Sequence, residues 1–169
     1  MEQKSNSGYA QGVTNVPSKI GLISDTHGLL RQEAVQALKG AELIIHAGDV
    51  GAAEILHSLQ QIAPVVAVRG NVDTSPSTRK LPPTAVVETA GPTIYVLHDL
   101  NQLDLNPAAA GFGIVISGHS HKPANEGRDG VLYLNPGSAG PRRFNLPVTT
   151  AWLYVEKSSW KVEFVELNV

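Results

Sequence analysis

The chain has 169 residues, a net charge of −2, 42% hydrophobic and 17% charged side chains, and no cysteine. That length suits one folded unit burying about two-thirds of its unfolded surface, and the weak charge disfavours nucleic acid as a partner. Without cysteine there are no disulfides, no thiolate zinc site and no cysteine nucleophile, which leaves His, Asp, Glu and Asn as metal-competent side chains.

Residues 1–18 are polar and rich in Gly, Ser and Asn, so they read as a tail, and residues 19–169 as a single domain. The tail lacks the apolar core of a signal peptide, and no later stretch approaches the ~20 apolar residues of a membrane span. A soluble, cytoplasmic protein with no membrane contact is expected.

Lys19-Ile20-Gly21-Leu22-Ile23-Ser24 reads as a strand, and Leu30, Ala34, Val35 and Leu38 fall at helical spacing before Gly40, a plausible stop. Leu43-Ile44-Ile45-His46 is a second strand; Ile55, Leu56, Leu59 and Ile62 mark a second helix, followed by the strand Val65-Val66-Ala67-Val68. Such β-α-β-α-β units run their strands parallel, so the carboxyl ends emerge at one edge of the sheet. Beyond residue 80 come strands at Ala85–Glu88, Thr93–Leu97, Ile114–Ile116 and Val131–Leu134, then a hairpin pairing Thr150–Val155 with Trp160–Val165 across a Lys-Ser-Ser turn. The expected fold is α/β: two β-sheets packed face to face and flanked by helices, an αββα four-layer sandwich.

Ligands of open α/β sheets collect beyond the carboxyl ends of the strands. Here those ends deliver Asp25 and His27, then Asp49, then Asn71, then His98, then His119 and His121. On an extended segment His119 and His121 would point to the same side and reach into one volume. Glycines at 48, 70 and 118 directly precede proposed ligands, where a missing Cβ allows close approach of backbone to the site. This ligand set is larger than one ion usually takes while leaving a position open for chemistry. Two divalent ions about 3.5–4 Å apart, sharing a bridging carboxylate and a hydroxide that attacks phosphorus, use it better, which points to hydrolysis of phosphate esters.

The series Asp25-x-His27, Gly48-Asp49, Gly70-Asn71, His98 and Gly118-His119-x-His121 resembles the signature of the calcineurin-like metallophosphoesterases. The short chain, Gly70-Asn71-Val72-Asp73 and the segment Asn135–Arg143 are similar to the small bacterial and archaeal phosphodiesterase branch, from about Ile20 onward. The resemblance implies that Asp25, His27 and His121 hold a first metal and Asn71, His98 and His119 a second, with Asp49 bridging. It also implies a small phosphodiester substrate, and Mn²⁺, Fe, Ni²⁺ or Zn²⁺ as cofactor, manganese foremost. Asn71 and Asp73 are the catalytic candidates.

Two positions depart from the family pattern. Val72 stands where many members have a leaving-group histidine, a general acid worth about 10²–10⁴-fold, so slow hydrolysis favouring good leaving groups is expected unless Asp73 or a metal-bound water substitutes. Asp99 follows His98 where glycine is more usual; it reshapes substrate access or orients His98.

Blander roles compete. Capping of local amides is favoured for Asp73 over acid catalysis. His46 reads as a hydrogen-bonded core residue and His57 as exposed, while Arg142 and Arg143 belong equally to a surface turn or to a phosphate contact. Trp152, Tyr154, Trp160 and Phe164 fill the core or form a homodimer face. The alternative function on the same fold is a non-catalytic scaffold, similar to a eukaryotic trafficking subunit, or a phosphate- or nucleotide-binding protein.

Overall fold

The structure is a computed structural model that describes residues 16–169, so the expected tail lies almost wholly outside the described residues. The strands, in chain order, are β1 (Lys19–Ile23), β2 (Leu43–His46), β3 (Val65–Ala67), β4 (Thr84–Val87), β5 (Thr93–Leu97), β6 (Phe112–Ile116), β7 (Ala124–Arg128), β8 (Val131–Asn135), β9 (Thr149–Val155) and β10 (Trp160–Glu166). Two helices, α1 (Gln32–Ala37) and α2 (Ala53–Gln60), connect β1 to β2 and β2 to β3.

One sheet has the order β10-β9-β1-β2-β3, the other β4-β5-β6-β8-β7. β1, β2 and β3 are parallel to one another, as are β5, β6 and β8. β9, β10, β4 and β7 run antiparallel to their neighbours. Residue alternation divides the apolar side chains between two layers. Ile20, Leu22 and Ile45 face inward and meet Ile94, Val96, Ile114 and Ile116 of the other sheet. Ile23 and Ile44 face outward onto Ala34 and Leu38 of the first helical segment and Ile55 and Leu59 of α2. Two packed sheets with flanking helices are thus the observed architecture. Over the second sheet the covering layer is thinner than a helix: Leu100, Leu103 and Leu105, around the 3₁₀ turn Leu100–Gln102, lie on Tyr95, Leu97 and Val115.

The expected strands are all present, with ends shifted by a residue or two, and Ser24 falls just outside β1. β7 is an addition to them. Its sequence, Ala-Asn-Glu-Gly-Arg, is exposed throughout and carries no apolar alternation. The Asp129-Gly130 pair behind it, both at positive φ, is the two-residue turn that folds β7 back on β8. Among the described residues no helix is long and apolar enough to cross a membrane.

Ile116 is fully buried between the sheets. Ile116→Ala is expected to cost about 2–5 kcal/mol, read as a lower denaturant midpoint at unchanged slope.

Candidate metal centre

The carboxyl ends of the parallel strands of both sheets meet at one edge, and short backbone bonds lock their loops together. Asp25 N–H donates to Gly48 C=O at 3.0 Å, His27 N–H to Asp49 C=O at 2.9 Å, and Gly118 N–H to His98 C=O at 2.9 Å. The tightness of these turns shows in the backbone: Asp25, His27, Asp49, His119 and His121 all adopt left-handed φ of 46–70°. For residues with a Cβ this conformation costs roughly 1–2 kcal/mol each, the kind of strain that gathers at functional sites. Glycine is required beside them. A Cβ on Gly70 would run into the backbone nitrogen and carboxylate of Asp49, and one on Gly118 into Ser24 Oγ.

Both buried carboxylates are held by one oxygen and present the other. Asp25 Oδ2 accepts from Ser24 Oγ–H at 2.7 Å and from His119 N–H at 3.1 Å. Its Oδ1 lies 3.3 Å from His121 Nε2 and 3.9 Å from the Nε2 atoms of His27 and His98. Asp49 Oδ1 accepts from Val72 N–H at 3.0 Å, while Oδ2 faces His98 Nε2 at 3.2 Å and His27 Nε2 at 3.6 Å. Both carboxylates, not Asp49 alone, therefore stand among the imidazoles.

The imidazoles are set to act as ligands. His98 Nδ1–H donates to Ala47 C=O at 2.7 Å, so Nε2 carries the lone pair and aims it at the two carboxylates. His27 Nε2 and His121 Nε2 face each other at 3.3 Å. Asp25 Oδ1, His98 Nε2 and His121 Nδ1 are buried polar atoms with no hydrogen-bond partner. A buried carboxylate oxygen and an imidazole lone pair left without partners, with a second carboxylate beside them, call for a cation. Asp25, His27 and His121 offer ligand atoms all within 4.8 Å of one another, and so do Asp25, Asp49 and His98. The oxygen and imidazole donors suit a borderline divalent ion and contain nothing that selects one.

Electrostatics agree with this demand. Burial works to raise the Asp49 carboxyl, but the His98 ring, the Val72 N–H and His27 outweigh it and bring it down to about 2. Burial likewise opposes the charged form of His98, yet Asp49, the Ala47 carbonyl and Asp25 outweigh it and its pKa rises. For His27 burial prevails over Asp49 and Asp25, and the pKa falls.

The remaining two candidates lie at the rim. Asn71 is exposed and lines a groove of about 480 Å³ with Arg69, Thr84, Tyr95, His98 and Asp99. The His119 ring stands edge-on to His98, centroids 5.3 Å apart, with its side chain 44% exposed. His119 and His121 differ in depth, the first 44% exposed at its side chain and the second 3% exposed. β6 ends at Ile116, and left-handed turns send His121 inward and leave His119 at the rim. Asp99 reaches His119, its Oδ2 3.9 Å from Nε2; it cannot orient His98, whose Nδ1 is taken by Ala47. Asp73 is buried and accepts from the N–H groups of Val50, Gly51 and Gly70 at 3.3, 2.9 and 2.8 Å. Those contacts describe a brace between two ligand loops.

Several supporting residues escape a reading of the sequence. Ser24 holds Asp25, Ser138 Oγ–H donates to Asp25 C=O at 3.0 Å, and Asn135 Nδ2–H donates to Gly118 C=O at 2.8 Å. Asn135 closes β8, which is parallel to β6, so the rule that found the ligands also points to it. Arg142 donates to the carbonyls of Leu146 and Val169 and so belongs to the turn. His46 is fully buried. Its Nδ1 accepts from Gly48 N–H at 3.2 Å, so Nε2 bears the proton and donates to Thr26 Oγ1, which donates to Val50 C=O.

A family model for the calcineurin-like phosphoesterase superfamily domain matches residues 19–158. A probable metallophosphoesterase of Methanocaldococcus jannaschii is 38% identical over 132 residues, covering 70% of this chain and 67% of that protein. A phosphodiesterase of the same organism is 27% identical over 161 residues, covering 85% of this chain and 96% of its own. The Vps29 protein of Entamoeba histolytica, solved in complex with Zn²⁺, superposes with a TM-score of 0.69 at 24% identity, over 89% of this chain and 99% of that one, a likeness of fold.

Burial pushes the His46 pKa from 6.5 down to about 4. The unfolded chain then binds the extra proton first, so His46 favours the fold fully above pH 6.5 and loses that contribution as pH falls toward 4. This amounts to about 3 kcal/mol in the metal-free protein. Denaturant titrations at pH 7 and pH 4.5 are expected to show a smaller acid loss for His46→Gln than for the parent chain.

Proposed function

The chain belongs to the calcineurin-like phosphoesterase superfamily, and from that premise we propose that it is a dinuclear-metal phosphodiesterase acting on a small phosphodiester. The observation that carries this reading is the convergence of Asp25 Oδ1, Asp49 Oδ2 and the Nε2 atoms of His27, His98 and His121, with Asp25 Oδ1 and His98 Nε2 buried and without a hydrogen-bond partner. Hydrolase chemistry comes with the family, and the preference for diesters draws on the relative named a phosphodiesterase.

In this reading Asp25, His27 and His121 would hold one divalent ion and Asn71, His98 and His119 the other, Asp49 would serve both, and manganese is the foremost candidate. Bound there, the pair would supply Lewis acidity toward the phosphoryl oxygens and a lowered pKa for an attacking water. The protein's own contribution is orientation. Ser24, Val72 N–H and Ala47 C=O fix the ligand atoms that point inward. The groove beside Asn71 and His98 receives an ester arm. Asp73, occupied by three amides, positions the loops of Asp49 and Asn71 and is a positioning residue in this scheme.

No side chain at position 72 can protonate the departing oxygen: Val72 is apolar and 42% exposed at the rim. Aryl phosphodiesters are therefore expected to turn over at least about 10²-fold faster than alkyl ones, and Val72→His to narrow that gap from the alkyl side. Equal rates for both classes in the parent chain would remove the argument.

With bis(p-nitrophenyl) phosphate and Mn²⁺, Asp49→Ala should lose about 10³-fold or more in turnover, with calorimetric metal stoichiometry dropping below two. A parent chain that binds metal yet turns over no phosphodiester would favour the non-catalytic scaffold or the phosphate-binding reading, which the missing proton donor at Val72 supports.

A further inference from the structure

β10 forms the outer edge of the first sheet, pairing with β9 on one side and with no other strand among the described residues on its other side. On one face of the strand Trp160 and Phe164 are 42% and 37% exposed and flank Val162, which packs on the inter-sheet core. On the other face Lys161 and Glu163 project into solvent, their side chains 74% and 53% exposed. An apolar edge strand invites pairing, and proteins usually blunt it with charges that repel a second copy. Here the charges are opposite in sign and symmetric about Val162, and that has the contrary effect.

A two-fold axis perpendicular to the sheet at Val162 sets the strand antiparallel to itself. Trp160 then lies opposite Phe164 of the second copy, Lys161 opposite Glu163, and Val162 opposite Val162. Shifting the axis by one residue in either direction places Lys161 against Lys161 or Glu163 against Glu163, which like-charge repulsion disfavours. The charges therefore favour this register over both of its neighbours. The polar edge β7 has a comparable charge pair, Glu126 and Arg128, but these satisfy each other at 2.8 Å, against a looser 4.0 Å between Lys161 and Glu163, and the strand carries no large apolar side chain.

We propose that β10 is a homodimerisation strand, pairing antiparallel with β10 of a second copy so that one continuous sheet spans both molecules. The aromatic pair across the seam supplies the contact and the crossed Lys161–Glu163 pairs fix the register. A single strand pair is a small interface, so association is expected at concentrations on the order of 100 µM.

Sedimentation velocity of the full chain at that concentration is expected to show dimer. Lys161→Glu alone sets carboxylate against carboxylate at both crossed positions of the seam, and Glu163→Lys alone sets ammonium against ammonium there; each variant should sediment as monomer, with circular dichroism unchanged. Mixed one to one, these two variants meet only in opposite-charge pairs, so heterodimer should reappear, as should homodimer in the double charge swap. A parent chain that stays monomeric, or a dimer indifferent to both single reversals, overturns the proposal; the latter result would assign association to another face or to residues 1–15.

Discussion

The structure depends on two buried carboxylates held close to each other and to three imidazole nitrogens at the seam of two sheets. Asp25 and Asp49 are 0% and 4% exposed, so their charges are withdrawn from water, and every surrounding feature serves to keep them there. Ser24 Oγ–H and His119 N–H restrain one carboxylate and Val72 N–H the other, while Asp25 Oδ1 remains without a protein donor and Asp49 Oδ2 faces His98 and His27. Such an arrangement opposes folding in the absence of a cation and favours it in the presence of one. The large apolar layer between the sheets, with Ile20, Ile45, Ile94 and Ile116 inside it, is what makes that tension tolerable.

Much of this is legible in the chain itself. Apolar runs such as Leu-Ile-Ile and Ile-Val-Ile mark strands buried on both faces, and the polar residues that end them fall together because parallel strands finish at the same edge. The direction of individual side chains within the turns is not legible. Extended geometry predicts one side for His119 and His121, yet left-handed φ at both separates them by depth. The same blindness applies to Asp99, whose partner is His119.

β7 illustrates a different limit. Periodicity detects strands through burial, and an exposed polar edge strand buries nothing. Its signal is the Asp129-Gly130 turn, a local backbone preference that carries no information about the core. Asp73 shows where local chemistry serves better: a carboxylate in a Gly-Asn-x-Asp turn finds amides close at hand, and the structure puts three on it.

The bond from His98 Nδ1 to the carbonyl of Ala47 joins a ligand carried by the second sheet to the backbone of the first. The bonds from His119 N–H and Ser138 Oγ–H to Asp25 do the same at this edge, whereas deeper in the sandwich the two layers meet through side-chain packing, which resists separation more than lateral slip. An ion held among these side chains would be gripped by both layers and would act as a rivet at their common edge, which would make cation affinity and the alignment of the sandwich one mechanical property, open to change from deep between the sheets without touching any group at the site.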